Sequence, residues 1–173
     1  LVQSKVTDGL ASMTFSVKVE DISSKDISGI LRGSVGNIEF AKPVSLKAGE
    51  SGAVIFTPEE YSQLKDQKID LWWPNGYGEP TLHEASFSFI PDGAAEAMTS
   101  IKWQAGIREF TYSDVMSDLK MFINGRRFFP KGGNWGFSEY NLRYRAEEYD
   151  TAARMHRDMN LNMIRNWVGQ TGD

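Results

Sequence analysis

The sequence predicts a mainly β protein, an immunoglobulin-like β-sandwich followed by an incomplete β-α-β start of a TIM barrel. Three observations support this. Apolar and polar residues alternate in several short segments of about the first 110 residues, an Asn-Gly pair then separates two β-type segments, and the final part reads strand, helix, strand. We therefore expect two units: residues 1–114, the sandwich, and residues 115–173, a hairpin with the first β/α/β elements of a truncated (β/α)8 barrel.

The alternation is clearest at Met13, Phe15, Val17 and Val19, whose neighbours are polar, as in a strand with one buried face. Further short strands are expected at residues 31–35, 53–56, 85–89 and 101–107, with a bulge after Gly106 carrying the last one on to residues 110–112. Pro43, Gly49 and Gly52 are expected in the connections, and residues 58–61 in a helical turn. Six or seven such strands separated by turn signals are typical of an immunoglobulin-like sandwich.

The second part of the chain has a different pattern. Asn124-Gly125 predicts a two-residue hairpin turn, because both residues tolerate the positive φ angles it requires. A strand is expected within residues 128–134, a helix over residues 147–159 and a strand over residues 161–166. A helical connection allows the two strands to be parallel. Since a parallel sheet needs cover on both faces and a complete barrel takes about 250 residues, we expect the opening of a barrel, or of another α/β sheet, with its remainder missing.

Composition excludes several classes of protein. The chain has 173 residues, 40% of them hydrophobic and 24% charged, and a net charge of -4. This is ordinary globular composition, and the mild acidity argues against a nucleic-acid-binding protein. The chain contains no run of about 18 apolar residues, so no membrane span is predicted. The chain has no cysteine and only His83 and His156, so we expect no disulfide, no metal site and no cofactor.

Four residues at the predicted strand ends are candidates for binding a sugar. Asn134 and Trp135 follow the first strand of the β-α-β unit, and Arg165 and Trp167 stand at the end of the second. Active sites gather at the carboxyl ends of parallel strands, amide and guanidinium groups bind hydroxyls, and indole rings stack on sugars. The alternative is that both Trp side chains pack in a core and Arg165 pairs with a carboxylate. The pattern leaves both interpretations open.

Other polar and aromatic residues are weaker candidates. Glu147 and Glu148 are adjacent, so they cannot face each other as an acid pair and fit a solvated first helical turn. His156 lies on the apolar face of the predicted helix and fits a hydrogen-bonded core histidine. The aromatic turn at residues 72–78 is either a sugar-stacking loop or a packing element at a domain junction, shaped by its Pro and Gly residues.

Several of these motifs together resemble glycoside hydrolase family 2. Residues 71–80 (LWWPNGYGEP) are similar to the junction motif that precedes the catalytic barrel in that family, and residues 106–108 resemble its Gly-Phe/Ile-Arg strand. Residues 122–125 with 131–135 resemble the entry into barrel strand one, and residues 160–167 resemble strand two. Arg165 is followed by Asn166-Trp167, which is similar to the β-mannosidase and exo-β-glucosaminidase branches. Residues 168–170 depart from the Gly-Gly run usual in β-mannosidases.

The resemblance implies a segment of a retaining exo-β-glycosidase that hydrolyses β-mannosides or β-glucosaminides in oligosaccharides or polysaccharides. By position, Arg165 and Trp167 would line the subsite for the non-reducing sugar, with Asn134 and Trp135 beside them. The family's two catalytic glutamates would come from later barrel strands, so this chain is expected to be inactive alone and to need the remainder of its barrel. Analogy with polysaccharide-degrading members suggests a periplasmic or extracellular location. The alternative is a non-catalytic carbohydrate-binding or adhesion module of immunoglobulin-like fold.

Overall fold

The computed structural model describes residues 1–135 and 145–166 of the chain. The first part of these residues forms a sandwich of two antiparallel sheets. One sheet has the order β1-β2-β5 and the other has the order β4-β3-β6-β7. The seven strands are β1 (Val2–Thr7), β2 (Leu10–Glu20), β3 (Ile27–Val35), β4 (Ile38–Leu46), β5 (Ser51–Phe56), β6 (His83–Pro91) and β7 (Thr99–Ala105). The predicted mainly β fold with a sandwich is confirmed.

An aromatic cluster fills the space between the two sheets. The rings of Phe15 and Phe40 lie 5.0 Å apart between centroids, those of Phe40 and Phe56 4.9 Å, and those of Phe56 and Phe87 5.7 Å. All four side chains are buried, which is the consequence of the period-two alternation in their strands. Gly33 belongs to the same core because an added Cβ would overlap the Phe40 ring, so only glycine lets the ring pack against β3.

Some local details differ from the sequence-based expectations. Pro43 lies inside β4 and Gly52 inside β5, not in the connections. Pro43 is possible there because β4 is an edge strand, where a missing N–H is tolerated. The strand after Gly106 does not continue through a bulge: β7 ends at Ala105, and the next strand joins a different sheet. The short helical turn is a 3-10 helix at Ser62–Leu64, just after the predicted residues 58–61, and it buries Leu64.

A three-stranded antiparallel sheet follows the sandwich. Its strands, in the order β10-β9-β8, are β8 (Phe110–Tyr112), β9 (Met121–Ile123) and β10 (Arg126–Phe128). The turn between β9 and β10 has positive φ at both central residues, 50° at Asn124 and 76° at Gly125, as the Asn-Gly pair predicts. The sheet buries Ile123 and Phe128 on one face.

The last described elements form a β-α-β unit. These elements are β11 (Gly132–Trp135), α1 (Ala146–Asp158) and β12 (Met163–Asn166), and the two strands pair in parallel. The helix stops near Asn160, which adopts the left-handed conformation at a φ of 60°. The described residues contain this strand pair and no closed barrel. None of the helical structure described is long and apolar enough to cross a bilayer.

Candidate functional site: the carboxyl ends of the parallel strands

Asn134 and Arg165 lie directly opposite each other on β11 and β12. They are Cα partners in the strand register, and the Arg165 guanidinium donates a hydrogen bond from Nη1 to Oδ1 of Asn134 over 3.0 Å. Both side chains are exposed. The side-chain amide N–H groups of Asn134 and the other guanidinium N–H groups can donate to a hydroxyl-rich ligand, since arginine carries five donors in a planar fork. This pair is the part of the predicted sugar-binding wall that the structure brings together.

A glycine lets the two strands approach. Gly132 pairs with Met163, and a Cβ added at Gly132 would overlap the Met163 carbonyl oxygen. Asn162 connects the segments that lead into β11 and β12. Its Oδ1 accepts from the Lys131 N–H over 2.7 Å, and its Nδ2 donates to the Phe129 carbonyl over 3.1 Å. These contacts set the register that places Asn134 beside Arg165.

The two tryptophans of the predicted site stand differently in the structure. Trp135 is the last residue of β11, with Asn166 as its register partner, so its backbone follows Asn134 as predicted. Its side chain lies outside the described part of the molecule, as does Trp167. The interpretation of Trp135 and Trp167 as sugar-stacking surfaces therefore stays a prediction.

The other polar candidates have local structural roles. The Arg145 N–H donates to Oε2 of Glu148 over 2.6 Å, so Glu148 closes the first turn of α1, as an acid at a helix N-terminus does. Nδ1 of the half-buried His156 donates to the Ala152 carbonyl over 2.7 Å, which fits the predicted hydrogen-bonded histidine. Across residues 1–135 and 145–166, no group of three or more His, Asp or Glu side chains could hold a metal ion.

The aromatic turn (residues 72–78) packs against other parts of the chain. The Trp72 N–H donates to the Ile107 carbonyl over 2.8 Å, and the Arg108 guanidinium stands 4.3 Å from the Trp72 ring centroid. An added Cβ at Gly106 would come within 2.9 Å of the same ring. An added Cβ at Gly78 would come within 2.8 Å of the Trp73 ring, so Gly78 packs closely against that ring. This favours the packing interpretation of the turn over the sugar-stacking one.

A second concavity lies away from the strand pair. A hollow of about 460 Å³ on the four-stranded sheet is lined by residues that include Arg32, Ser34, Glu39, Ser86 and Ser88. It includes neither Asn134 nor Arg165, and it results from small residues standing between longer ones on an outer sheet face. We place the candidate site at the strand ends because the hydrogen-bonded Asn–Arg pair is there.

Comparisons with known proteins point to enzymes that cleave glycosides. No family model matches the chain. The mannosylglycoprotein endo-β-mannosidase of Lilium longiflorum is 37% identical over 143 residues, which cover 80% of this chain and 14% of that protein. The exo-β-D-glucosaminidase of Streptomyces avermitilis is 29% identical over 157 residues, 90% of this chain and 17% of that protein. The chain therefore spans about a sixth of the length of these relatives.

Solved structures show the same fold. The exo-chitosanase of Amycolatopsis orientalis superposes with a TM-score of 0.79 at 18% identity, covering 99% of this chain and 20% of that one. A GH2 β-galacturonidase from Eisenbergiella tayi gives a TM-score of 0.79 at 17% identity, covering 99% and 29%. Fold and sequence thus define the class, a segment of a glycoside hydrolase. Within that class the chain belongs to glycoside hydrolase family 2, with β-mannosidases and exo-β-glucosaminidases among its relatives, and the predicted resemblance is confirmed.

Sequence reasoning missed two residues that shape this site. Asn162 lies in the motif that led to Arg165, but its contacts with residues 129 and 131 depend on a fold that the motif alone does not reveal. Asn75 lies in the aromatic turn, and it contacts residues more than 80 positions away in sequence. An Asn flanked by Pro and Gly is an ordinary turn residue, so no local signal distinguishes an Asn that only forms the turn from one that also binds distant backbone carbonyls.

Proposed function

We propose that this chain is part of a retaining exo-β-glycosidase that acts on β-mannosides or β-glucosaminides. In this proposal the β11–β12 pair supplies one wall of the subsite for the non-reducing sugar. The observation that carries it is the hydrogen-bonded pair of Asn134 and Arg165 at the carboxyl ends of two parallel strands. The relatives support the reaction class, because their names include β-mannosidase and exo-β-D-glucosaminidase.

Arg165 and Asn134 would bind and orient the sugar. The hydrogen bond from Nη1 to Asn134 fixes the direction of the Arg165 guanidinium, and the side chain is exposed. A fork held in this way donates to ring hydroxyls at fixed angles, and less rotamer entropy is lost on binding. Trp135 and Trp167 are proposed, from the resemblance, to add stacking faces beside this pair.

The bond-breaking groups would come from elsewhere in the parent enzyme. A retaining glycosidase needs two carboxyl groups about 5–5.5 Å apart, one as acid/base and one as nucleophile. We propose that these glutamates belong to further barrel strands, that those strands cover the exposed faces of α1 and β12, and that the chain alone is inactive. Residues 1–114 and 115–173 are the proposed units, and the pairing of β8 with β9 joins them.

An endo-acting enzyme is the second candidate for the parent. The relative from Lilium longiflorum, at 37% identity, is named an endo-β-mannosidase of mannosylglycoproteins. An exo enzyme closes its pocket around one terminal sugar, whereas an endo enzyme must let the chain continue past the subsite. Binding of a single methyl β-glycoside at Asn134 and Arg165 would suit the exo enzyme, and a requirement for an internal mannosyl residue would suit the endo enzyme.

A non-catalytic carbohydrate-binding or adhesion module is the alternative from another class. It would bind sugar on a surface of the sandwich and would not need the strand pair. Limited proteolysis separates the two proposals: a finished module should resist trimming at residues 126–173, whereas an uncovered barrel opening should be cut there first. The exposed apolar side chains in this part favour cutting, with Met155 62%, Met159 60% and Ile164 44% exposed.

The test of the proposed function maps sugar binding by NMR. Methyl β-mannoside and methyl β-glucosaminide are titrated into the chain, and shifts are expected around Asn134 and Arg165. Arg165→Ala should lose binding, and Arg165→Lys should weaken it because a point charge replaces the fork. Arg32→Ala, an exposed arginine on the sandwich, is the matched control and should leave binding unchanged. Shifts confined to the sandwich, or no shifts at all, would overturn the proposed subsite.

A second measurement tests the absence of catalysis. The chain is incubated with aryl β-mannoside, β-glucosaminide and β-galactoside, and no turnover above a heat-killed sample is expected. Turnover by the purified chain would show that both catalytic carboxylates are present in it and would refute their proposed location in other strands.

A further inference from the structure

The aromatic turn of the sandwich contacts both ends of the connection between α1 and β12 through one side chain. Nδ2 of Asn75 donates to the Arg157 carbonyl over 2.8 Å and to the Leu161 carbonyl over 3.1 Å. Arg157 is in the last turn of α1, and Leu161 stands two residues before β12. The Arg157 carbonyl also accepts from the Asn160 N–H over 2.9 Å, so the Asn75 amide is a further donor there, and through its second bond it connects the end of the helix to the approach to β12.

The same turn also contacts the approach to β11. The Phe129 N–H donates to the Tyr77 hydroxyl over 2.8 Å, three residues before β11 begins. The Tyr77 ring lies 5.4 Å from the Phe128 ring, and the Arg126 guanidinium stands 5.2 Å from its centroid. The Tyr77 ring therefore packs against β10, and its hydroxyl accepts from the backbone of the segment that leads into β11.

Asn162 completes the connection between the two approaches. It bonds the Lys131 N–H and the Phe129 carbonyl on the β11 side and follows directly after Leu161 on the β12 side. Asn75 thus binds Leu161, the neighbouring Asn162 binds Phe129, and Phe129 binds Tyr77, which lies in the same turn as Asn75. Each strand of the parallel pair is fixed to the sandwich, and the two are fixed to each other.

Hydrogen bonds within the aromatic turn fix its own conformation. Its Trp73 N–H donates to the Glu79 carbonyl over 3.0 Å, and its Tyr77 N–H donates to the Pro74 carbonyl over 3.0 Å. Gly76 provides the required positive φ of 79°. In contrast, none of the residues of α1 is fully buried. The position of the helix and its strand therefore depends on these polar contacts more than on a core.

We propose that Asn75 and Tyr77 are positioning residues that fix the β11–β12 pair and so hold Asn134 and Arg165 side by side. The sugar-binding consequence of this inference rests on the proposed function; the placement of the strand pair does not. Asn75 acts through its amide donors, and Tyr77 acts through its hydroxyl acceptor. Neither is proposed to touch the sugar.

The test compares three variants with one control. Asn75→Asp keeps the size of the side chain but removes both N–H donors and places a carboxylate against two carbonyl oxygens. Asn75→Ala removes the group, and Tyr77→Phe removes the hydroxyl alone. Asn37→Asp is the matched control, since Asn37 is an exposed turn residue of the sandwich. Amide hydrogen exchange is followed by NMR at residues 159–166, with core amides of β2 and β6 as the internal reference.

Exchange at residues 159–166 is expected to rise about tenfold or more in both Asn75 variants, and less in Tyr77→Phe. The spectroscopic signature is the contact between the Asn134 side-chain amide and the Arg165 guanidinium, whose nuclear Overhauser effect should weaken while core amides and Asn37→Asp stay unchanged. An unaltered contact and unaltered exchange in Asn75→Asp and Tyr77→Phe would overturn the inference. If Asn75→Asp also loses core protection, Tyr77→Phe decides. A wild-type chain that binds no sugar but whose strand pair loosens in these variants would refute the proposed function and support the positioning role.

Discussion

Gly132→Ala is the most direct perturbation of the candidate site. The new Cβ would overlap the Met163 carbonyl oxygen and stand 2.8 Å from the carbonyl carbon, where real Cβ contacts essentially never fall below 3.0 Å. Both atoms are backbone, so no side chain can turn away and β12 itself must move. Overpacking of this kind costs about 1–3 kcal/mol. At about 2 kcal/mol the open state of the strand pair becomes roughly 30-fold more populated, since 1.36 kcal/mol is a factor of ten.

Gly133→Ala is the matched control, one residue along the same strand. An added Cβ there meets nothing within 4 Å, and Gly133 does not have a positive φ. Alanine at such a position should be neutral or stabilising by about 0.4–1 kcal/mol, because it restricts the unfolded chain. Hydrogen exchange of the β12 amides measures both variants. Equal exchange in Gly132→Ala and Gly133→Ala would refute the reasoning that close strand approach requires glycine.

Two further predictions concern the sandwich. Phe15→Ala should lower the free energy of unfolding by about 3–5 kcal/mol, since the ring is fully buried in the aromatic cluster. Urea denaturation measures this free energy, with Ile22→Ala as the control because the Ile22 side chain is 93% exposed. A loss in Phe15→Ala no larger than that in Ile22→Ala would contradict the prediction. The hydrogen bond from Lys42 to Glu60, 2.9 Å long, raises the pKa of Lys42 above its ordinary value of 10.5. Any stability that it provides is complete below pH 10.5 and is lost as the pH rises through the raised pKa. Glu60→Gln should move the pKa of Lys42 back down in an NMR titration of Nζ, and an unchanged pKa would contradict this cause.

Local patterns predicted a large part of this fold. The alternation around Phe15 and Phe87 gave strands β2 and β6, because side chains of a strand alternate between core and solvent. The Asn-Gly pair predicted the β9–β10 turn, and the helix expected over residues 147–159 agrees to within one residue with α1. Each of these signals depends only on residues close in sequence, so sequence alone was sufficient.

Elements whose signals are weak or misleading were missed. Strand β1 was not predicted, since Val6 is its only fully buried residue. Strand β4 was missed because Pro43 indicates a break unless the strand is known to lie at an edge, which only the complete sheet reveals. The alternation predicts β8 as a continuation of β7, and this is wrong because alternation alone does not identify a partner strand.

The candidate site also has a part that the sequence predicts and a part that it does not. Asn134 and Arg165 were predicted as neighbours because the carboxyl ends of parallel strands meet at one edge, and their register and hydrogen bond agree. The sequence could not predict what fixes that edge. Asn75 lies 82 positions from Arg157 and 86 from Leu161, and a contact of that range depends on how the sandwich meets the β-α-β unit.

The distribution of buried side chains decides which measurement can test this edge. The aromatic cluster and its neighbours make the sandwich a cooperative core, whereas α1 contains no fully buried residue. Elements with few buried apolar contacts open locally, at a lower free energy than global unfolding. Thermal melting of the chain therefore reports mainly on the sandwich, and it can remain unchanged while Asn134 and Arg165 separate. Only a residue-resolved measurement at β11 and β12 can show whether Gly132 and Asn75 hold the strand pair in place.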